Sequence, residues 1–181
     1  MNGLINRAVK KFILKEYGKY TWEEICYKSK VEDDVFVSMK FTEDSHSYRL
    51  IETTSEVLGV EPSCLIESIG KYWVEYTESE GYSMVFEMFG KSMKEFMHNL
   101  NHLHFKIGCI LPNIDPPTFD TKVISDSQIN LHYYSNREGM APLVKGILAA
   151  LSNKFNEPCD IIHLIKKSNE TDHDVFQINF L

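Results

Sequence analysis

The chain has 181 residues, of which 43% are apolar, 25% charged and 12% aromatic, the balance of one ordinary globular domain able to bury a sizeable core. Its 26 acids outnumber its 19 bases, the net charge is −7, and only Arg7, Arg49 and Arg137 are arginines, so the concentrated positive footprint of a nucleic-acid binder is excluded. No run approaches the roughly 18 apolar residues of a membrane span, the start lacks a signal-peptide core, and Cys26, Cys64, Cys109 and Cys159 show no CxxC spacing, which points to reduced thiols in the cytoplasm.

In chain order, Leu4, Ile5, Ala8, Val9, Phe12 and Ile13 repeat with helical spacing. Gly18 is expected to end that helix and Thr21 to cap a short second one carrying Trp22, Ile25 and Cys26. A strand-like run from Val35 to Met39 follows, then a helix-compatible stretch from Tyr48 to Leu58, stopped by Gly59. Pro62 suits a first helical turn, and Leu65, Ile66, Ile69, Trp73 and Tyr76 mark one face. Gly81 and Gly90 punctuate the next segments.

From Ser92 the pattern is clearest: Met93, Phe96, Met97, Leu100, Leu103 and Ile107 form one stripe at spacings of three and four. LPNIDPP, residues 111–117, has to leave the helix. Extended segments are expected near Phe119 to Ile124 and Ile129 to Asn136, a helix over 140–156, and two more strands near Ile161 to Ile165 and Val175 to Leu181. That order predicts an α+β fold, helices first and an antiparallel sheet with one inserted helix last.

Three of the seven histidines fall between 98 and 104. His104 follows Met93, Met97 and Leu100 by eleven, seven and four residues, which puts it on the buried stripe. There it is either a core histidine bonded to a carbonyl or a neutral imidazole aimed into an apolar cavity, suited to haem iron. His98 and His102 share a flank that reads as solvated. In LHYYSNREG, residues 131–139, period-two alternation places Tyr133, Ser135 and Arg137 on one side of a strand. Such a row is either the polar face of an edge strand or a donor set for carboxylates.

Together, the buried-face LH at 103 and 104, the YxSxR row and the PP turn between them resemble the H-NOX family of haem nitric oxide/oxygen binding domains. The resemblance runs from NGLINRAV to the DHDVF strand and is close to the haem domain of the soluble guanylate cyclase β-subunit. It implies a single domain over 1–181, with a helical subdomain over about residues 1–60, a haem-ligating helix and sheet subdomain over about 61–181, and the haem between them. It implies that His104 is the axial iron ligand, that Tyr133, Ser135 and Arg137 hold the haem propionates, and that Pro117 presses on the porphyrin. CxxCH is absent, so the cofactor is haem b held without covalent bonds.

Family members that bind oxygen stably carry a distal tyrosine, and by similarity of REGMAPLVKGIL that place falls at Leu143, which has no donor. Ile5, Trp73, Val74 and Leu143 are expected to form a mostly apolar distal wall, with the Trp73 N–H as its one donor. The resemblance therefore implies a sensor that binds nitric oxide, also carbon monoxide, and excludes oxygen. The chain stops at Leu181 after its last strand, as in stand-alone members that regulate a histidine kinase or a cyclic-di-GMP enzyme, or as in a piece of a longer protein. Two other classes stay open: a haem carrier or redox protein, and a non-haem enzyme using His104 as proton carrier, for which no nucleophile or paired acid and base is visible. Cys159, His163 and His173 fall short of a four-ligand zinc site.

Overall fold

The computed structural model describes residues 3–31, 36, 43–110 and 115–181. The N-terminal apolar stripe forms α1, Gly3–Glu16, and α2, Gly18–Ser29, starts almost at once. Thr21 is therefore inside α2 rather than at its cap, and its hydroxyl donates to the Tyr17 carbonyl at 3.0 Å. The Val35–Met39 run lies outside the described residues except for Phe36, whose buried ring meets Trp22 edge-on at 5.4 Å. Helix α3, Asp44–Leu58, ends at Gly59, whose left-handed φ of 64° favours glycine. Helix α4, Pro62–Thr77, opens on its proline, then widens into a π-type turn, Glu78–Tyr82, before α5, Ser83–Phe89.

The long stripe after Ser92 is two helices. Ser92 caps α6, Met93–His98, by accepting from the Glu95 N–H at 3.2 Å, and α7 runs Leu100–Ile110. The interruption is Asn99, whose side chain donates to the Phe89 carbonyl at 2.9 Å. The Leu103 N–H still bonds the Asn99 carbonyl at 3.0 Å, so the helical phase carries across the break. Of the segment 111–117, residues 111–114 lie outside the described residues.

The remainder is β1, Thr118–Ser125, β2, Gln128–Tyr134, α8, Ala141–Phe155, β3, Cys159–Ile165, and β4, Asp174–Phe180. The strands form one antiparallel sheet ordered β1-β2-β4-β3, the expected α+β architecture. Among the described residues no helix is long and apolar enough to cross a membrane.

Two apolar cores meet along α4 and α8. Leu65, Ile66 and Ile69 of α4 join Val9, Phe12, Trp22, Ile25 and Leu50, while Val74 of the same helix joins Phe96, Met97, Leu131, Leu148 and Phe176. The two helices touch backbone to backbone. A Cβ at Gly70 would lie 2.3 Å from the Leu143 carbonyl oxygen, and one at Gly146 would lie 2.1 Å from the Glu67 carbonyl oxygen. Neither carbonyl can step aside, because each belongs to a helix.

Gly146→Ala is expected to destabilise the chain by about 1–3 kcal/mol or more through this overpacking. Gly108→Ala, with open space around its Cβ position in α7, is expected to stabilise it by about 0.5–1 kcal/mol. Urea unfolding of both variants checks the pair of signs.

Candidate functional site

Helix α7 carries His104 against the sheet. Its ring stacks on Phe119 of β1 at 5.3 Å and 27°, and Nδ1 is sealed from solvent with no hydrogen-bond partner among the described residues. Burial pushes the imidazole down to about 4, partly offset by a hydrogen bond to the Pro117 backbone. The ring is thus neutral at physiological pH, which leaves a lone pair in an apolar setting. Three residues earlier, Asn101 fixes the helix to β1: its Oδ1 accepts from the Phe119 N–H at 2.6 Å, and its Nδ2 donates to the Phe119 carbonyl. A buried, unpartnered ring nitrogen is costly in an isolated protein and fits a residue whose lone pair coordinates a metal centre.

Beside it, Tyr133 is buried on β2, 5.4 Å from the Phe119 ring. Burial pushes its phenol up, so it stays protonated, and the hydroxyl bonds to Ser135. Strand β2 ends at Tyr134, so Ser135 and Arg137 do not follow from strand alternation; they stand in the turn beyond it. Ser135 Oγ accepts the Arg137 N–H at 3.1 Å, and that local bond folds the turn back. The Arg137 guanidinium is held twice: Nε lies 2.9 Å from Asp44 Oδ2 at the start of α3, and Nη1 donates to the Asp115 carbonyl at 2.6 Å. Tyr48 of α3 also donates to the Glu138 carbonyl at 3.0 Å. The turn is therefore bolted to α3 on one side and to residues 115–117 on the other. Tyr134 points away and stacks on His173 at 4.3 Å.

His104, Pro117, Tyr133, Ser135 and Arg137 are thus gathered around one end of β1 and β2. Ile5 and Leu143 pack against the N-terminal core, whereas Val74 belongs to the core beside the sheet. Trp73 lies half-buried between these groups, its ring 6.0 Å from Tyr76. Tyr76 is fully buried, its hydroxyl has no partner among the described residues, and burial pushes it up to about 12. Leu143 is placed by the helix crossing, since its carbonyl sits over Gly70.

His98 and His102 are exposed, and the His102 ring meets Phe89 edge-on at 5.6 Å. Cys159, His163 and His173 do not converge: Cys159 bonds to Ser152, and His163 Nε2 lies 2.7 Å from Asp174 Oδ1. Among the described residues no three of His, Cys, Asp and Glu are grouped to hold a metal ion. Sequence reasoning missed Asn101, Phe119, Asp44, Asp115 and the Gly70–Gly146 contact. Only the two glycines inside helical patterns carry a local signal.

The haem-NO-binding family matches residues 2–163. Curated relatives include the soluble guanylate cyclases gcy-35 and gcy-31 of Caenorhabditis elegans. They are 25% and 26% identical over 98% and 99% of this chain, which covers 27% and 26% of their length. The chain thus spans about a quarter of these relatives. Among solved structures, an H-NOX protein from S. oneidensis in the Fe(II)NO ligation state matches with a TM-score of 0.89 at 19% identity, covering 100% of this chain and 99% of that chain. The Fe(II) unliganded H-NOX protein from K. algicida matches with a TM-score of 0.86 at 21% identity, covering 100% and 97%. These structural likenesses establish the fold.

In chain prepared without cofactor, His104 titrates near 4 when folded and near 6.5 when unfolded. The unfolded state takes the proton first, so stability falls as pH drops through that window, by about 3 kcal/mol in all. His104→Phe removes this component. Unfolding free energies at pH 7 and near pH 4 are expected to fall further in the parent chain than in the variant.

Proposed function

The chain belongs to the haem-NO-binding family, and from that premise we propose that it is a gas-sensing domain that binds nitric oxide, excludes oxygen and regulates a signalling enzyme. Haem is the family's cofactor, and the absence of CxxCH fits non-covalent retention. When bound, haem would supply an iron able to take up diatomic gases.

The observation that carries this reading is the neutral, half-buried His104 ring, whose Nδ1 is sealed from solvent and has no partner among the described residues. His104 would hold the iron through its ring lone pair. Tyr133, Ser135 and Arg137 hold the two carboxylates of the cofactor, and the Asp44 and Asp115 contacts keep the guanidinium in place while it does so. Pro117 precedes β1 and bears on the macrocycle. Ile5, Val74 and Leu143 make the gas-binding side apolar, with Trp73 offering the indole N–H. Bound oxygen gains from a donor, and leucine at 143 withholds one. Because Asn101 pins α7 to Phe119, any displacement of His104 reaches β1 directly.

The output we assign is control of a histidine kinase, a cyclic-di-GMP enzyme or a guanylate cyclase, and the compartment is the cytoplasm. Membership in a sensor family supports a regulatory rather than a catalytic role for this domain. A second reading, stable oxygen binding, rests on one observation: the buried, unpartnered Tyr76 hydroxyl beside Trp73 on α4.

One titration separates the readings. The ferrous protein is expected to be five-coordinate, to change its visible spectrum with nitric oxide and to leave it unchanged with oxygen. A stable oxygen complex lost in Tyr76→Phe would favour the second reading, and a six-coordinate ferrous spectrum would favour electron transfer. His104→Gly is expected to lose axial ligation and regain it with free imidazole, whereas His102→Ala is expected to leave it intact. Arg137→Ala, which removes a charge-assisted contact of about 1.5–3 kcal/mol, is expected to release haem faster than Tyr134→Ala. Haem transfer to a scavenger protein measures this.

A further inference from the structure

The face of the sheet turned away from the core carries a histidine pair that gas sensing does not use. His132 of β2 stands across the ladder from Asp120 of β1. His173 lies just before β4, its ring stacked on Tyr134 at 4.3 Å and 23°. His132 Nδ1 is 2.8 Å from His173 Nε2, and His173 Nδ1 is 2.5 Å from Asp172 Oδ1. Both rings are only partly exposed.

The proton positions follow from the donors. An ionised carboxylate only accepts, so His173 Nδ1 donates to Asp172. A neutral His173 then has its lone pair on Nε2, aimed at His132, whose Nδ1–H donates to it. Burial and the Lys122 ammonium both favour the uncharged form of His132. A carboxylate on one imidazole nitrogen with the other lone pair directed outward is the arrangement that prepares a histidine to ligate a metal.

We propose that His132 and His173 form a binding site for a divalent transition-metal ion of the Zn²⁺ or Ni²⁺ class, with Asp172 as a positioning residue. Bonds of about 2.1 Å at a tetrahedral angle require the two nitrogens to move apart slightly from 2.8 Å, which side-chain rotation on an open sheet face supplies. On binding, the ion replaces the shared proton: His132 gives up its Nδ1 proton to water and takes one at Nε2, so both rings stay neutral. Water fills the remaining positions. Imidazole pairs suit ions of this class rather than Mg²⁺ or Ca²⁺. The exposed pair His98 and His102 is a poorer chelate, because Asn99 interrupts the helix between them.

The test is calorimetric titration of the tag-free, haem-loaded chain with Ni²⁺. One ion per chain is expected to bind. His132→Ala and His173→Ala are each expected to weaken it by more than about tenfold, and Asp172→Asn by about tenfold, while His102→Ala leaves it unchanged. An unaltered visible spectrum confirms that each variant is folded; His132→Gln and His173→Gln, which keep a hydrogen-bonding group, replace any that is not. Binding that survives both histidine replacements, binding lost in His102→Ala, or no binding at millimolar Ni²⁺ would overturn the proposal. Because the readout is metal uptake, it stands or falls independently of the response to nitric oxide.

Discussion

The close crossing of α4 and α8 is the constraint on which the rest of the molecule hangs. Each helix serves both cores: α4 sends Leu65, Ile66 and Ile69 one way and Val74 the other, and α8 sends Leu143 one way and Val144, Leu148 and Leu151 the other. With Gly70 and Gly146 face to face, the backbones approach as side-chain-bearing helices cannot. The contact sets the separation of the two cores and so the positions of Leu143 and Val74. It also fixes α8 relative to β2, the strand that leads into the Ser135–Arg137 turn.

Around that frame the site solves two electrostatic problems differently. His104 is kept uncharged: Phe119 and the apolar surroundings strip its solvent, and among the described residues no carboxylate is within bonding distance to restore the proton. Arg137 cannot be neutralised, so it is compensated by the Asp44 carboxylate and the Asp115 carbonyl. Those partners come from both halves of the chain, so one guanidinium joins α3 to the sheet.

Much of this architecture was legible because it rests on periodicity. The four strands and α8 fell within a few residues of their expected positions, and the stripe from Met93 to Ile107 put His104 on the apolar helix face, which in the folded chain meets Phe119. That phase survived the unforeseen break at Asn99 because the Asn99 carbonyl still accepts from Leu103. Thr21 was misread because a hydroxyl four residues after a carbonyl bonds backward as readily as it caps forward. The facing of Ser135 and Arg137 was argued from a strand that ends one residue too early, and the turn gathers them instead. Asp44, Asp115 and Asn101 had no local signature. Each acts on a residue distant in sequence, Asp44 on Arg137 above all, and only the folded chain makes them neighbours.

The amide of Asn101 has a bearing on how molecules of this protein behave in one another's company. β1 is an outer strand of the sheet, and such an edge offers its backbone to any extended segment that drifts past. Asn101 occupies both outward groups of Phe119, and Thr121 turns its hydroxyl to the Met97 carbonyl at 3.2 Å. Helices α6 and α7 thus cover the first half of the edge. Beyond them Val123 and Ile124 are exposed, with the Lys122 ammonium beside them as the only charge on that short run. Were α7 to lift away, the whole of β1 would become a template for strand addition between molecules. Colloidal stability in concentrated solution therefore depends on the same amide that seats His104.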